Sequence, residues 1–445
     1  MIFPNLYKNK RVGLIGLGKT GKSVAESMNA VGAKIKVYDD SGIIDPKYSE
    51  LSIDEIESGE IDVLVISPGV HILWPDIHPM VNAARKKSIP ILNDMDLFQQ
   101  HISKKTICIT GTNGKSTTAA LVHHIFNCAG KRVEIGGNFG NPVLLLDANA
   151  DFFVLELSSY QLESCNILGF DTSILLNIAP DHLARHGGMA GYIAVKQKIF
   201  ANAKSNMIIG IDDDYCEEIL VFFKGKIVPI SGKRVPENGL GWENNKLVDN
   251  RFNSYEIICD SSSFLDGDHN RQNIAASYVA CIQNGLSKES FQNGLASFRG
   301  LEHRQEIVAS INGVSYINDS KATNAESVEQ ALKRFNNIVW IAGGRPKEKG
   351  IEILVQYFSK LKFVFLIGEA AKSWSSFLTK CGVENKISET LDIAVGHAYE
   401  FSKTGKVDVV LLSPACASFD QFKNFEDRGV KFKSLVTQLT SMTTS

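Results

Sequence analysis

Short aliphatic and β-branched runs that break at glycine, each followed by a stretch of helical period, recur along the whole chain. Arg11 to Ile15, Ala33 to Tyr38 and Ile61 to Val70 read as strands, with a helix over Ser23 to Val31 between the first two. Thr106 to Thr110, Asp151 to Glu156 and Ser173 to Ile178 form a second set of buried strands, and Gly114 opens a helix running through Val122. Beyond Gly300, the apolar runs Val314 to Asp319, Ile338 to Ala342, Phe363 to Ile367 and Val407 to Leu412 alternate with helical segments. Strands that alternate with helices predict an α/β protein built on open parallel sheets.

Length decides how many such sheets to expect. At 445 residues the chain exceeds one ordinary core, so two to three domains are expected. The pattern divides it at 1–94, 95–298 and 299–445. Lys+Arg 47 against Asp+Glu 49 leaves a net charge of -2, which gives no electrostatic reason to expect nucleic acid or a membrane as partner. The start, MIFPNLYKNKRVGLIG, lacks a signal-peptide core, and no apolar stretch reaches the ~18 residues of a membrane span. A cytoplasmic protein is expected. The 8 cysteines are scattered without a Cys-x-x-Cys pair, so they read as small core hydrophobes rather than zinc ligands or a disulfide framework.

The chemistry concentrates in Thr106 to Thr118, TICITGTNGKSTT. A buried strand breaks at Gly111, and Gly114-Lys115-Ser116-Thr117 starts a helix. Gly111, Thr112, Asn113 and Gly114 would aim backbone N–H groups at one spot, where a polyphosphate replaces its lost water. Lys115 would reach the terminal phosphates, and Ser116 or Thr117 would offer a hydroxyl to Mg²⁺. Only Thr112 and Asn113 separate the glycines, a tight variant of the phosphate loop. A rival lies upstream: Gly16 through Gly21-Lys22-Ser23 fits the Walker A spacing, and with Asp39 after the second strand it also fits a dinucleotide fingerprint. Glu156, at the end of a buried strand, is the better-placed magnesium acid. ATP is therefore assigned to Lys115, and a diphosphate-bearing substrate or a nicotinamide cofactor to the first turn.

Further candidates follow the strands. Gly69 closes a strand on a turn, and Asn138 sits in the flexible run Gly136 to Pro142. His182 and His186 stand one turn apart without the Glu of a zinc motif, so His182 reads as a strand-end group facing the phosphates. On a helical wheel Tyr192, Val195, Ile199 and Phe200 share a face with Lys196 in its middle, while Lys198 points away to the surface. Lys196 must snorkel, pair with an acid, or lose its charge. As a neutral amine it could take up CO₂ as a carbamate. Asn270 precedes an apolar helix, where an Asn pair caps the helix or reads an adenine edge. In the last third, Asp319, Lys321, Thr323, Arg345, Lys347 and Ser418 lie on loops after strands, where open sheets bind ligands.

Together, Gly111 to Thr117, Glu156 to Leu162, Asp181-His182, His269-Asn270, Glu302-His303-Arg304, Asn318 to Asn324 and Leu412 to Ser418 resemble the Mur ligases of peptidoglycan synthesis. Asp319 to Asn324 and Ser413 to Phe425, SPACASFDQFKNF, look like the branch that adds D-glutamate to UDP-N-acetylmuramoyl-L-alanine. The resemblance implies a Rossmann-like N-terminal domain, a central P-loop ATPase-like domain with a parallel sheet, and a C-terminal Rossmann-like domain. It implies an ATP-dependent amide-forming ligase working through an acyl phosphate as a monomer, with Lys115, His182 and Lys196 as catalytic residues. Ser116, Glu156, His182 and carbamylated Lys196 would surround two Mg²⁺. Asn270, Arg304 and Asp319 would contact ATP, and Thr20, Asp39, Gly69 and Asn138 the UDP-linked substrate. Lys321, Thr323, Lys347, Ser418 and Phe425 would form the D-glutamate pocket, with Lys349 an alternative to Lys347. A nicotinamide-dependent oxidoreductase and a non-catalytic P-loop switch are the competing readings; both leave charged residues without a task.

Overall fold

The fold is described from a computed structural model of the chain, covering all residues except 43, 74, 168, 202–205, 224–226, 252–254, 261–264, 266, 347–349 and 444–445. Among the described residues the strands form three sheets, in two compact units, Met1–Phe298 and Arg299–Ser445.

In the first unit, β1 (Arg11–Ile15), β2 (Lys34–Tyr38), β3 (Ser49–Glu50), β4 (Val63–Ile66) and β5 (Ile91–Leu92) form a parallel sheet in the order β3-β2-β1-β4-β5. The strand expected over Ile61 to Val70 is shorter because Ser67 N–H bonds to the Ile15 carbonyl and Val70 N–H to the Ser67 carbonyl, closing a turn. Helix α1 (Lys19–Ala30) begins four residues before the expected Ser23. Its Gly21 rests on Gly16, where a Cβ would lie 1.8 Å from the Gly16 carbonyl oxygen, so the helix starts hard against the first turn.

The second sheet holds β6 (Lys105–Thr110), β7 (Val133–Gly137), β8 (Phe152–Glu156), β9 (Thr172–Leu175), β10 (Asn206–Gly210), β11 (Ile227–Ile230), β12 (Leu240–Glu243), β13 (Lys246–Asp249) and β14 (Glu256–Asp260). Its order is β14-β13-β12-β11-β10-β9-β6-β8-β7, parallel through β12 and antiparallel between β12, β13 and β14. The antiparallel edge departs from the all-parallel expectation. Ile109 of β6 pairs with both Glu156 of β8 and Ile174 of β9, so three strands end level and release their loops at one edge. One core serves both sheets: Val12 and Leu14 of the first join Phe98, Cys108 and Phe153 at the second, with Phe98 and Phe153 edge to face at 5.2 Å. This shared burial makes 1–298 one unit.

The second unit carries β15 (Glu306–Ile311), β16 (Val314–Asn318), β17 (Ile338–Gly343), β18 (Leu361–Ile367), β19 (Asn385–Glu389) and β20 (Val409–Leu412), ordered β15-β16-β20-β17-β18-β19. All pairs are parallel except β15 with β16. Separate apolar clusters cover its two faces, Trp340 and Leu366 on one and Phe432 and Val410 on the other. The cysteine reading holds for buried Cys108, Cys165, Cys216, Cys281 and Cys416, whereas Cys128 and Cys381 are exposed; all are free thiols. Among the described residues no helix is long and apolar enough to cross a membrane.

Candidate active site

The loop after β6 is shaped by bonds to the loop after β9. Thr112 N–H donates to the Asn177 carbonyl (2.9 Å), Asn113 N–H to Asn177 Oδ1 (2.8 Å), and Thr112 Oγ1 to the Ala179 carbonyl (3.1 Å). Gly114, at φ +84, caps helix α2 (Lys115–Cys128), and a Cβ there would stand 2.4 Å from Asn273 Oδ1. Lys115 folds back over the loop and donates to the carbonyls of Gly111 and Thr112, both at 2.9 Å. This is the shape of a phosphate cradle, with a cation above a helix N-terminus.

Glu156, at the end of β8, is 2% exposed. Its Oε2 accepts from Ser116 Oγ and its Oε1 from Asn138 Nδ2, each at 2.6 Å, which binds loop, acid and amide into one cluster. His182 caps the short helix α3 (Leu183–His186) in the left-handed region at φ 50, a conformation that costs a non-glycine residue about 1 kcal/mol or more. Its Nδ1 meets the Tyr160 hydroxyl at 3.3 Å. His186 is no metal ligand in waiting: it is buried between Glu163 Oε1 and Ser159 Oγ, each 3.0 Å away.

Lys196 does not snorkel. On helix α4 (Met189–Gln197) it is 1% exposed, and its Nζ donates to Thr110 Oγ1 (3.0 Å) and the Gly111 carbonyl (2.8 Å). Burial, and then the charge of Lys115, push its pKa down to about 7. Lys198 departs from the expected surface position. It is half-buried and donates to the carbonyls of Glu163 (2.9 Å) and Cys165 (3.0 Å), because the end of the helix Ser159–Ser164 lies against that face.

A cavity of about 600 Å³ joins these groups to the first sheet; Thr20, Gly69, Lys115, Asn138, His182 and Lys196 all line it. Lys19 and Tyr160, to which the sequence reading assigned no substrate contact, line it too, and Lys19 Nζ donates to the Gly140 carbonyl at 2.8 Å. The upstream Walker-like spacing forms no second cradle, since Lys22 is exposed and Ser23 Oγ donates to the Thr20 carbonyl. Asp39 lies beside that turn. Its carboxylate accepts from Ser41 and from Leu17 N–H, and these bonds hold its pKa below the usual range.

Asn270 stands in the first turn of helix α5 (Asp268–Gln283) and accepts a bond from Asn273 Nδ2 at 3.2 Å. Asn273 is the nearer of the two to the loop. It is 1% exposed, and among the described residues its Oδ1 has no hydrogen-bond partner.

In the second unit the loops after β16 and β20 and helix α6 (Phe425–Thr443) are bonded together. Ala415 N–H donates to the Ala322 carbonyl, Ser320 Oγ to the Phe425 carbonyl, and the Lys321 ammonium lies 6.0 Å over the Phe425 ring. Ser418 is buried, Thr323 half-buried and Arg304 exposed. Asp319 is buried with Oδ2 accepting from Ser413 Oγ (2.6 Å) and Oδ1 from Gln305 N–H (3.1 Å), and burial raises its pKa to about 7. Arg345 pairs with Glu369 at 3.0 Å. Lys347 and Lys349 lie outside the described residues.

Comparison with known proteins gives this architecture a family. The Mur ligase middle domain matches residues 109–281, and the Mur ligase glutamate ligase domain matches 303–416. The chain belongs to the Mur ligase family, whose members are ATP-dependent ligases that form amide bonds. Within it, the chain is 40% identical to UDP-N-acetylmuramoylalanine--D-glutamate ligase of Rickettsia prowazekii (strain Madrid E), over 97% of this chain and 98% of that protein. It is 41% identical to the protein of the same name from Brucella abortus (strain 2308), over 99% and 98%. The structure of MurF ligase from Thermotoga maritima in complex with ADP shares the fold, with a TM-score of 0.54 at 18% identity, covering 98% of this chain and 97% of that one.

Proposed function

We propose that the protein adds D-glutamate to UDP-N-acetylmuramoyl-L-alanine at the expense of ATP, a step in making peptidoglycan precursors. The observation that carries this reading is the cavity in which Lys115 and Lys196 face Thr20 and Gly69, taken with full-length relatives named for that reaction. Residues 1–94 would hold the uridine-linked substrate, 95–298 ATP, and 299–445 the amino acid. The substrate carboxylate attacks the γ-phosphate to give an acyl phosphate, and the amine of D-glutamate then displaces phosphate.

Two anions must first approach. At about 4 Å and an effective dielectric near 20, a unit pair repels by roughly 4 kcal/mol, about a thousandfold in rate. Lys115 is placed to offset this repulsion, and the N–H groups of Gly114 and Lys115 at the start of α2 would hold the phosphates still, since those of Thr112 and Asn113 are given to Asn177. Asn138 and Ser116, both bonded to Glu156, fix the carboxylate at the cavity's edge. Among the described residues no three His, Cys, Asp or Glu side chains gather for a cation. The hard oxygens of Ser116 and Glu156 suit Mg²⁺, which takes most of its ligands from phosphate and water, with His182 at the rim. Mg²⁺ held there would neutralise phosphate charge. A Lys196 amine that is half neutral near pH 7 suits addition to CO₂, giving a carbamate and a released proton. Lys321, Thr323, Ser418 and Phe425 would receive D-glutamate, whose carboxylates need cations.

The nicotinamide reading is weaker, because Asp39, the acid that would take ribose hydroxyls, is bonded to Leu17 and Ser41. The net charge of -2 gives no electrostatic reason to seat the protein on a membrane or nucleic acid, and we read it as a cytoplasmic monomer. The test is phosphate release with UDP-N-acetylmuramoyl-L-alanine, ATP and each candidate amino acid in turn. D-Glutamate should support turnover at least about tenfold above any other; equal turnover with L-glutamate or diaminopimelate would refute the assignment.

A further inference from the structure

Resting on the reading that Gly69 faces the uridine-linked substrate, we propose that Arg185 is a positioning residue for that substrate. It holds the main chain of Pro68-Gly69-Val70 as one wall of the cavity. Arg185 Nη1 donates to the Gly69 carbonyl (3.0 Å), and Nη2 to those of Val70 (2.7 Å) and Pro68 (3.5 Å). Nε and Nη2 of the same group donate to Glu163 Oε2 at 3.0 and 2.6 Å. Both side chains are nearly sealed, at 5% and 1% exposure.

A buried ion pair is a poor source of net stability, because desolvation cancels most of its attraction. What a guanidinium offers that an apolar pair cannot is a rigid fork of donors. Here the fork spans three successive carbonyls that lie more than a hundred residues away in sequence.

The other contacts extend the bracing to both sides of the cavity. Arg185 stacks on the Tyr160 ring at 4.9 Å, and Tyr160 reaches His182 through its hydroxyl. On the far side of the loop, Ser67 Oγ donates to the Gly16 carbonyl at 2.9 Å, tying the same segment to the first turn. Pro68, Gly69, Tyr160 and His182 line the cavity, whereas Arg185 stands behind that lining. The wall that meets the substrate is thereby set by a residue that does not touch it.

Arg185→Lys tests this, since it keeps the charge opposite Glu163 and removes the fork. The variant should raise KM for UDP-N-acetylmuramoyl-L-alanine about tenfold while KM for ATP stays within about twofold. In the ligand-free protein, amide exchange across 67–73 should quicken while that across 106–118 does not change. Glu163→Gln, which leaves the carbonyl contacts in place, should show the smaller effect of the two. KM values for both substrates that stay put or move together would overturn the proposal, as would unchanged exchange at 67–73. A wild-type enzyme inert towards this substrate would sink the functional reading instead, and the exchange measurement would still decide whether Arg185 holds the loop.

Discussion

At the scale of the residue, the two lysines of the site differ in what surrounds them. Lys115 and Lys196 both donate to the Gly111 carbonyl, but only Lys196 is sealed from water. Its pKa of about 7, against the ordinary 10.5, fixes the sign of a stability effect. Below about pH 7 the amine is charged in both folded and unfolded chains, and the burial penalty is complete. Between about 7 and 10.5 the unfolded chain keeps a proton that the folded one has released, so folded stability rises with pH. Lys196→Met should therefore be more stable than the wild type at pH 7, with the gap closing towards pH 10, read from urea midpoints at constant slope. Carbon-13 bicarbonate should give a carbamate resonance in the wild type that this variant lacks. Lys115→Ala, which removes the cation from the cradle, should lower kcat by about 10³-fold or more, measured by phosphate release.

At the scale of the element, the cradle depends on Gly114 holding φ +84 beneath Asn273. Gly114→Ala combines a left-handed backbone with a Cβ driven into a buried amide, and should destabilise the first unit by about 1–3 kcal/mol. Calorimetry and a higher KM for ATP would report it; an unchanged Tm would mean that the loop relaxes freely. The loop itself was legible, because strand, glycine break and Lys-Ser-Thr at a helix start leave little choice of backbone. Its partner Asn273 was not. Nothing in an Asn pair three residues apart says which member meets a loop 159 positions upstream; helix packing sets Asn273 against Gly114, while Asn270 accepts the Asn273 amide. Lys198 failed for a related reason: the wheel gave the side chain's direction but not what packs there, and the carbonyls of Glu163 and Cys165, at the end of the helix Ser159–Ser164, lie against it.

At the scale of the whole molecule, residues 1–298 share a core across two sheets, while 299–445 has apolar clusters of its own. Scanning calorimetry should resolve two transitions, and an ATP analogue should raise the one belonging to 1–298 by mass action. A single transition would show that the units fold as one. The alternation of strands and helices made the α/β class readable from end to end. The antiparallel edge β12 to β14 was not readable, since Trp242, Leu247 and Val248 stand among glycine, asparagine and charged residues that leave no sustained apolar run.

By itself the sequence determined the local geometry: which glycines turn, where a strand ends in a carboxylate, and which helical face buries a lysine. These follow from backbone sterics and side-chain period, which act over a few residues. Only tertiary structure decided which loops meet. The level ends of β6, β8 and β9 bring Glu156 to Ser116, and Arg185 grips the carbonyls of 68 to 70. Those choices rest on sheet order and on desolvated donors finding acceptors far along the chain, and neither is encoded in any short stretch.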